Sequence, residues 1–297
     1  MAEPSIRWPV QAGRFYPGTA QGCAEELAEC RRLAVPLPPE VKGARLFGGI
    51  VPHAGWVYSG PTALAVFEAL AASAERPETV IIFGASHRGD VRRPGMQSRG
   101  RWRAPSGEAV IDEELAQAIL AEGDPVEDRA TAHTGDHAIE VQLPMLLAAL
   151  PGARFVPIAM PHTKAGPAAG EAAARAVRKL GRRAVALAST DLTHYGPNYY
   201  AFAPQGVGAK AHKWSKEVND RGFIERILAL DAAGTYEAGE RDHSACGPAA
   251  AAAAVAFAKA MGASKGVLLE HITSWERAKS EQAEPEDFVG YAAVVFI

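Results

Sequence analysis

The sequence predicts an α/β protein whose mostly parallel central sheet is flanked by helices, and two observations carry that prediction. Short apolar runs rich in β-branched residues alternate with stretches of helical periodicity, the pattern of buried parallel strands joined by helical crossovers. Three of those runs end, within a few residues, in a side chain able to bind a metal. Arg45 to Val51 leads into His53, Thr79 to Gly84 into His87, and Ala184 to Ala188 into Asp191 and His194. Open α/β sheets place ligands at the carboxyl ends of their strands, so a site is legible before a reaction is.

Each element has its own signal. After an extended segment containing Ala12 to Pro17, a helix is expected from Thr19 to Leu33, stopped by Pro36, Pro38 and Pro39. Ser59-Gly60-Pro61 opens a second helix through Ala72, with proline in the first turn, where its missing N–H costs nothing. Past the strand that ends before His87, an arginine-rich loop leads to a helix from Asp112 to Ala121. Another helix runs from Asp136 to Leu150 and ends at Pro151-Gly152. Ala153 to Met160 reads as a strand and Pro167 to Leu180 as a helix. Beyond Asp191 come a polar, aromatic loop from Tyr195 to Gly208 and helices from Trp214 to Ala229. An alanine-rich helix opened by Gly247-Pro248, a short strand from Val267 to Glu270 and a closing strand from Asp287 to Ile297 complete the chain. Neither an internal repeat nor a Ser/Gly-rich linker divides it, so residues 1–297 are read as one domain.

Composition narrows the function classes. A chain of 297 residues, 48% hydrophobic and 22% charged with a formal net charge of −3, is expected to be globular, with neither a nucleic-acid nor a membrane-surface partner. The one basic stretch contains Arg88, Arg92, Arg93, Arg99, Arg101 and Arg103. It reads first as a solvated loop and second as a rim drawing an anionic substrate to His87. The N-terminus lacks the apolar core of a signal peptide, and Cys23, Cys30 and Cys246 form no disulfide framework. A reducing, cytoplasmic location is the expectation. Cys23 and Cys30 lie in a helical pattern that favours core packing.

The chemistry-bearing candidates are His53, His87, Asp191, His194 and Cys246. A lone histidine after a strand is more often structural than a ligand, which is the reading for His162 and His271. His53 and His87 differ in being surrounded by small residues, Pro52-His53-Ala54-Gly55 and Gly84-Ala85-Ser86-His87-Arg88-Gly89, which allow sharp turns and close approach. Asp191 and His194 are spaced to share one face if the segment has helical curvature, so the carboxylate could orient the imidazole. Cys246 precedes the Gly-Pro of a helix start, where the positive end of the helix dipole favours a thiolate. No phosphate loop, dinucleotide fingerprint or Gly-x-Ser-x-Gly elbow is present.

Pro52 to Gly60, Gly84 to His87, Glu140 to Pro144, Ser189 to Gly196 and Cys246 to Pro248, in this order, resemble the Memo family, together with Ala12 to Tyr16 and Gly290 to Ala293. Prokaryotic members are often labelled AmmeMemoRadiSam system protein B. The resemblance covers essentially the whole chain and implies a fold like that of class III extradiol dioxygenases, which hold a non-haem Fe(II) through two histidines and a carboxylate. It implies His53, His87 and Cys246 as metal ligands, Asp191 and His194 as acid/base or orienting groups, and His137 with Glu140 near the pocket.

A thiolate in place of a carboxylate is softer and more oxidisable, so Fe(II) is the leading expectation, with Zn or Cu as alternatives. The expected activity is redox or dioxygenase-type chemistry on an unknown small molecule, with His194, Asp191 and His137 as catalytic candidates. The rivals are a zinc-dependent hydrolase or lyase, a non-enzymatic binder of an anionic peptide or modified macromolecule, and a Cys246 nucleophile. Partner proteins of the AmmeMemoRadiSam system are a further expectation.

Overall fold

The computed structural model describes residues 5–278 and 284–297. Its centre is four parallel strands: β1 (Gly48–Val51), β2 (Thr79–Ala85), β3 (Arg154–Met160) and β4 (Ala184–Ser189), in the spatial order β1-β4-β2-β3. Nearly all their residues are buried, which explains why the runs are continuously apolar rather than alternating. Shorter and antiparallel strands complete the sheet. β5 (Gly266–Thr273) pairs with β6 (Phe288–Phe296), which pairs with β1, and His194–Tyr195 pairs with the start of β6. The short strand Gly95–Met96 runs antiparallel to β3, and Glu127–Asp128 pairs in parallel with it at the other edge.

Helices cover both faces. Trp56–Ala71 packs on β1 and β6 and carries Ala20–Leu33 and Leu143–Ala149 outside it. On the opposite side, Pro248–Met261 lies across the parallel strands, with Gly166–Leu180 and Ala232–Asp242 against it. Eleven residues of Pro248–Met261 are buried. Alanine suits this position because it is the best helix former and carries no side chain to hold neighbours apart. A Cβ on Gly170 would meet the Ala253 carbonyl oxygen at 2.0 Å, so the two helix backbones touch.

Several expectations are corrected. The second helix begins at Trp56, a turn before Ser59, and Pro61 lies inside it. Only Leu143–Ala149 of the expected Asp136 to Leu150 helix is α-helical, behind a 3₁₀ turn at Glu140–Gln142. The Asp136 carboxylate accepts from the backbone N–H groups of His87 and Ala138 instead of beginning a helix there. The arginine-rich loop includes a hairpin, Arg101–Ala104 with Gly107–Val110, closed into a small sheet by Ile6–Arg7. Ala232–Asp242 is a helix with no counterpart among the expectations. The helix expected from Trp214 begins at Ala209 and passes through a π-helical turn, Ser215–Asp220. No helix of the described residues is long and apolar enough to cross a membrane.

Candidate metal centre

His53, His87 and Asp191 each sit two residues past the end of β1, β2 and β4. Those strands are neighbours in the order β1-β4-β2, and hydrogen-bonded strands lie about 4.8 Å apart. Register therefore gathers the three side chains. Cys246 arrives from elsewhere in the chain, through an antiparallel bridge between Ala245 and Leu192 and a bond from the Cys246 N–H to the Asp191 carbonyl. Gly247 allows the approach, since a Cβ there would lie 2.7 Å from that of Ala85.

The Cys246 Sγ stands 3.2 Å from His53 Nε2 and accepts from the Asp191 N–H at 3.3 Å. On its other nitrogen, His53 Nδ1 contacts Ser189 Oγ at 3.2 Å. Burial alone would raise the Cys246 thiol, but the adjacent His53 and His87 outweigh it and lower the pKa to about 6. Asp191 is buried, which pushes its pKa up. Its Oδ1 accepts the His53 N–H at 2.7 Å, and Oδ2 lies 3.9 Å from His53 Nε2.

His87 Nδ1 faces Asp136 Oδ1 at 3.3 Å, leaving Nε2 for the cavity. Against the penalty of burial, Asp136 and the Cys246 sulfur raise the His87 pKa to about 10. His137 stacks on His87 with ring centroids 4.5 Å apart and stands edge-on to His53 at 5.2 Å. Burial and those two neighbours push its pKa down to about 3, so the ring is neutral near pH 7. Phe15 backs it at 4.4 Å. Donor atoms lie within 4.8 Å of one another in two sets, His53–His87–His137 and His53–Asp191–Cys246.

Two cavities meet at this cluster. The larger, about 810 Å³, is lined by His53, His137, Asp191 and the aromatic walls Phe15, Tyr58, Tyr199 and Tyr291. The second, about 620 Å³, contains Cys246. His87, His194 and Tyr200 line both.

The model of the Memo-like protein family matches residues 7–295. A MEMO1 family protein of Methanopyrus kandleri is 38% identical over 298 residues, covering 98% of each chain. One of Pyrococcus abyssi is 35% identical over 298 residues, covering 98% of this chain and 99% of its own. The chain belongs to the Memo-like family. The solved structure of an uncharacterized protein from Escherichia coli K12 aligns with a TM-score of 0.46 at 13% identity, covering 84% of this chain and 99% of that one.

In this Memo-like chain the structure brings His53, His87, Cys246, Asp191, His194 and His137 to one place, but two expected relationships differ. Residues 190–193 are not helical, and Leu192 forms a bridge to Ala245. The His194 Nδ1 therefore faces the Leu192 carbonyl at 3.2 Å, and Asp191 turns to His53. Glu140 does not line either cavity. It is fully buried and accepts from Arg7, Tyr16 and the backbone N–H groups of Val10 and Gln11. His162 pairs with Glu240 and His271 with Asp220, apart from the cluster. Arg88 pairs with Asp90, Arg93 with Asp124, and Arg101 and Arg103 with Glu108, so acids largely offset the basic stretch. Sequence reasoning missed Asp136 and Ser189, whose only signal is adjacency to His137 and to the end of a strand.

Proposed function

We propose that this protein holds one transition-metal ion through His53, His87 and Cys246 and uses it for redox chemistry on a small molecule in the larger cavity. The supporting observation is that His53 Nε2 reaches the Cys246 sulfur and belongs to both donor sets, one with His87 and one with Cys246, while the Nδ1 atoms of His53 and His87 are occupied by Ser189 and Asp136. A histidine anchored at one nitrogen presents the other in a fixed direction and tautomer, the usual condition of a metal ligand. Imidazole and thiolate ligands at roughly 2.0–2.3 Å from a tetrahedral ion lie about 3.5 Å apart. The 3.2 Å between His53 Nε2 and Sγ fits that set. Fe(II) is the preferred ion, with Zn or Cu accepted by the same donors.

When bound, the ion would supply a Lewis acid and a one-electron redox centre at the cavity wall. The protein's own groups then have defined parts. His194, held at Nδ1 by a carbonyl, presents Nε2 to move a proton. Neutral His137 can accept a hydrogen bond from a bound molecule. Asp191 fixes the His53 backbone and stands ready as a further carboxylate donor.

Anaerobic purification with elemental analysis, followed by paramagnetic resonance with nitric oxide, tests this reading. Stoichiometric iron lost in Cys246→Ser and retained in Cys23→Ser and Cys30→Ser is the expected result. Equal metal in all three variants sinks it. Zinc would move the activity to hydrolase or lyase chemistry, and ligand affinity without metal to a binder of anionic peptides. One observation favours a second reading. The His53–Cys246 contact is also that of an activated thiolate nucleophile, which alkylation would silence without metal loss.

A further inference from the structure

The second cavity is distinct from the one assigned to substrate, yet it is the one whose lining includes Cys246. Four imidazoles line it: His87 and His194 at the shared end, and His162 and His243, both exposed, farther out. His162 is oriented by Glu240 at 2.9 Å on Nδ1, which leaves Nε2 free. His243 ends the helix Ala232–Asp242 in a left-handed conformation (φ 49°), where glycine would be relaxed. Phe202 supports its ring, with centroids 5.3 Å apart. Histidine is among the side chains that tolerate the left-handed conformation, and here it places an imidazole in the cavity lining.

The two outer imidazoles belong to neither group of donors that lies within 4.8 Å. They are too dispersed to trap an ion with the inner ones, but suited to hold it briefly. A hydrated divalent ion sheds water stepwise, and each imidazole can replace one water before the thiolate takes the ion.

We propose that this second cavity is the loading route for the metal, with His162 and His243 as transient ligands for a hydrated divalent transition ion. The proposal rests on the metal-centre reading above. The first cavity can then stay occupied by its ligand while the ion is delivered from the other side.

Stopped-flow uptake of Co(II) by the metal-free protein tests it, read by the thiolate-to-cobalt charge-transfer band. His162→Ala/His243→Ala is expected to slow growth of the band severalfold, because the ion then crosses the cavity without the two outer imidazoles. The final affinity should stay unchanged. Gly89→Trp gives the same result by a different cause. Gly89 lines the cavity and a Cβ there meets nothing within 4 Å, so a bulky side chain starts in open space, and circular dichroism checks that the variant is folded. Tyr58→Trp, which narrows only the first cavity, leaves the rate unchanged. Wild-type rates in both second-cavity variants, or slowing by Tyr58→Trp alone, overturn the route. If the wild-type chain gives no thiolate band, the metal-centre reading fails, and the route with it.

Discussion

Cys246 and the two helical cysteines share a functional group and differ in what surrounds it. Burial raises Cys23 to about 11 and Cys30 to about 12, whereas His53 and His87 bring Cys246 to about 6. The thiolate is the nucleophile, so iodoacetamide at pH 7.5 is expected to label Cys246 alone in the metal-free protein. The sign follows from the lowered value: the rate climbs as pH rises through about 6 and levels off above it. Peptide mapping that finds Cys23 or Cys30 labelled first, or a rate still climbing near pH 9, would refute this. The same contrast shows what the residues alone disclose. His53, His87 and Asp191 were legible because each follows a strand by two residues. Cys246 showed only a helix start. Asp136 and Ser189 were invisible because their roles arise from contacts across 49 and 136 positions of sequence.

Elements were legible where one period dominates the pattern and obscure where side chains redirect the backbone. The four parallel strands and the alanine-rich helix follow from continuous apolar runs. The helix expected from Asp136 gave way because the Asp136 and Glu140 carboxylates are engaged with other segments. Close packing of Gly166–Leu180 on Pro248–Met261 yields a prediction with its own control. Gly170→Ala places a methyl 2.0 Å from the Ala253 carbonyl oxygen, a backbone atom that cannot swing aside. Its urea midpoint should fall by the equivalent of about 1–3 kcal/mol, the usual cost of overpacking. Gly222→Ala, on the exposed side of Arg221–Leu228 with nothing within 4 Å, should gain ~0.4–1 kcal/mol through lower unfolded-chain entropy. Equal midpoints would show that the helix pair can part to admit a methyl.

At the scale of the whole molecule, the N-terminal segment is tied to the centre through Glu140. Its carboxylate takes Arg7 Nη1 at 2.8 Å, the Gln11 N–H at 2.8 Å, the Val10 N–H at 2.9 Å and the Tyr16 hydroxyl at 3.0 Å. Arg7 continues the link, donating to the Asp136 carbonyl at 2.7 Å and lying over Trp102 at 4.1 Å. Asp136 in turn holds His87. Removing one partner of a buried ion pair strands the other charge, so Glu140→Ala should lose about 3–5 kcal/mol of stability. It should also weaken the proposed metal binding, since both Phe15 and Asp136 lose their support. Arg7→Met/Glu140→Met separates the causes. The double variant has no stranded charge, yet the Val10 and Gln11 N–H groups still lack an acceptor, each costing about 1–3 kcal/mol. Partial recovery in urea unfolding is therefore expected, with metal affinity still reduced. Full recovery of both would mean the ion pair alone matters and the N-terminal segment does not support the site.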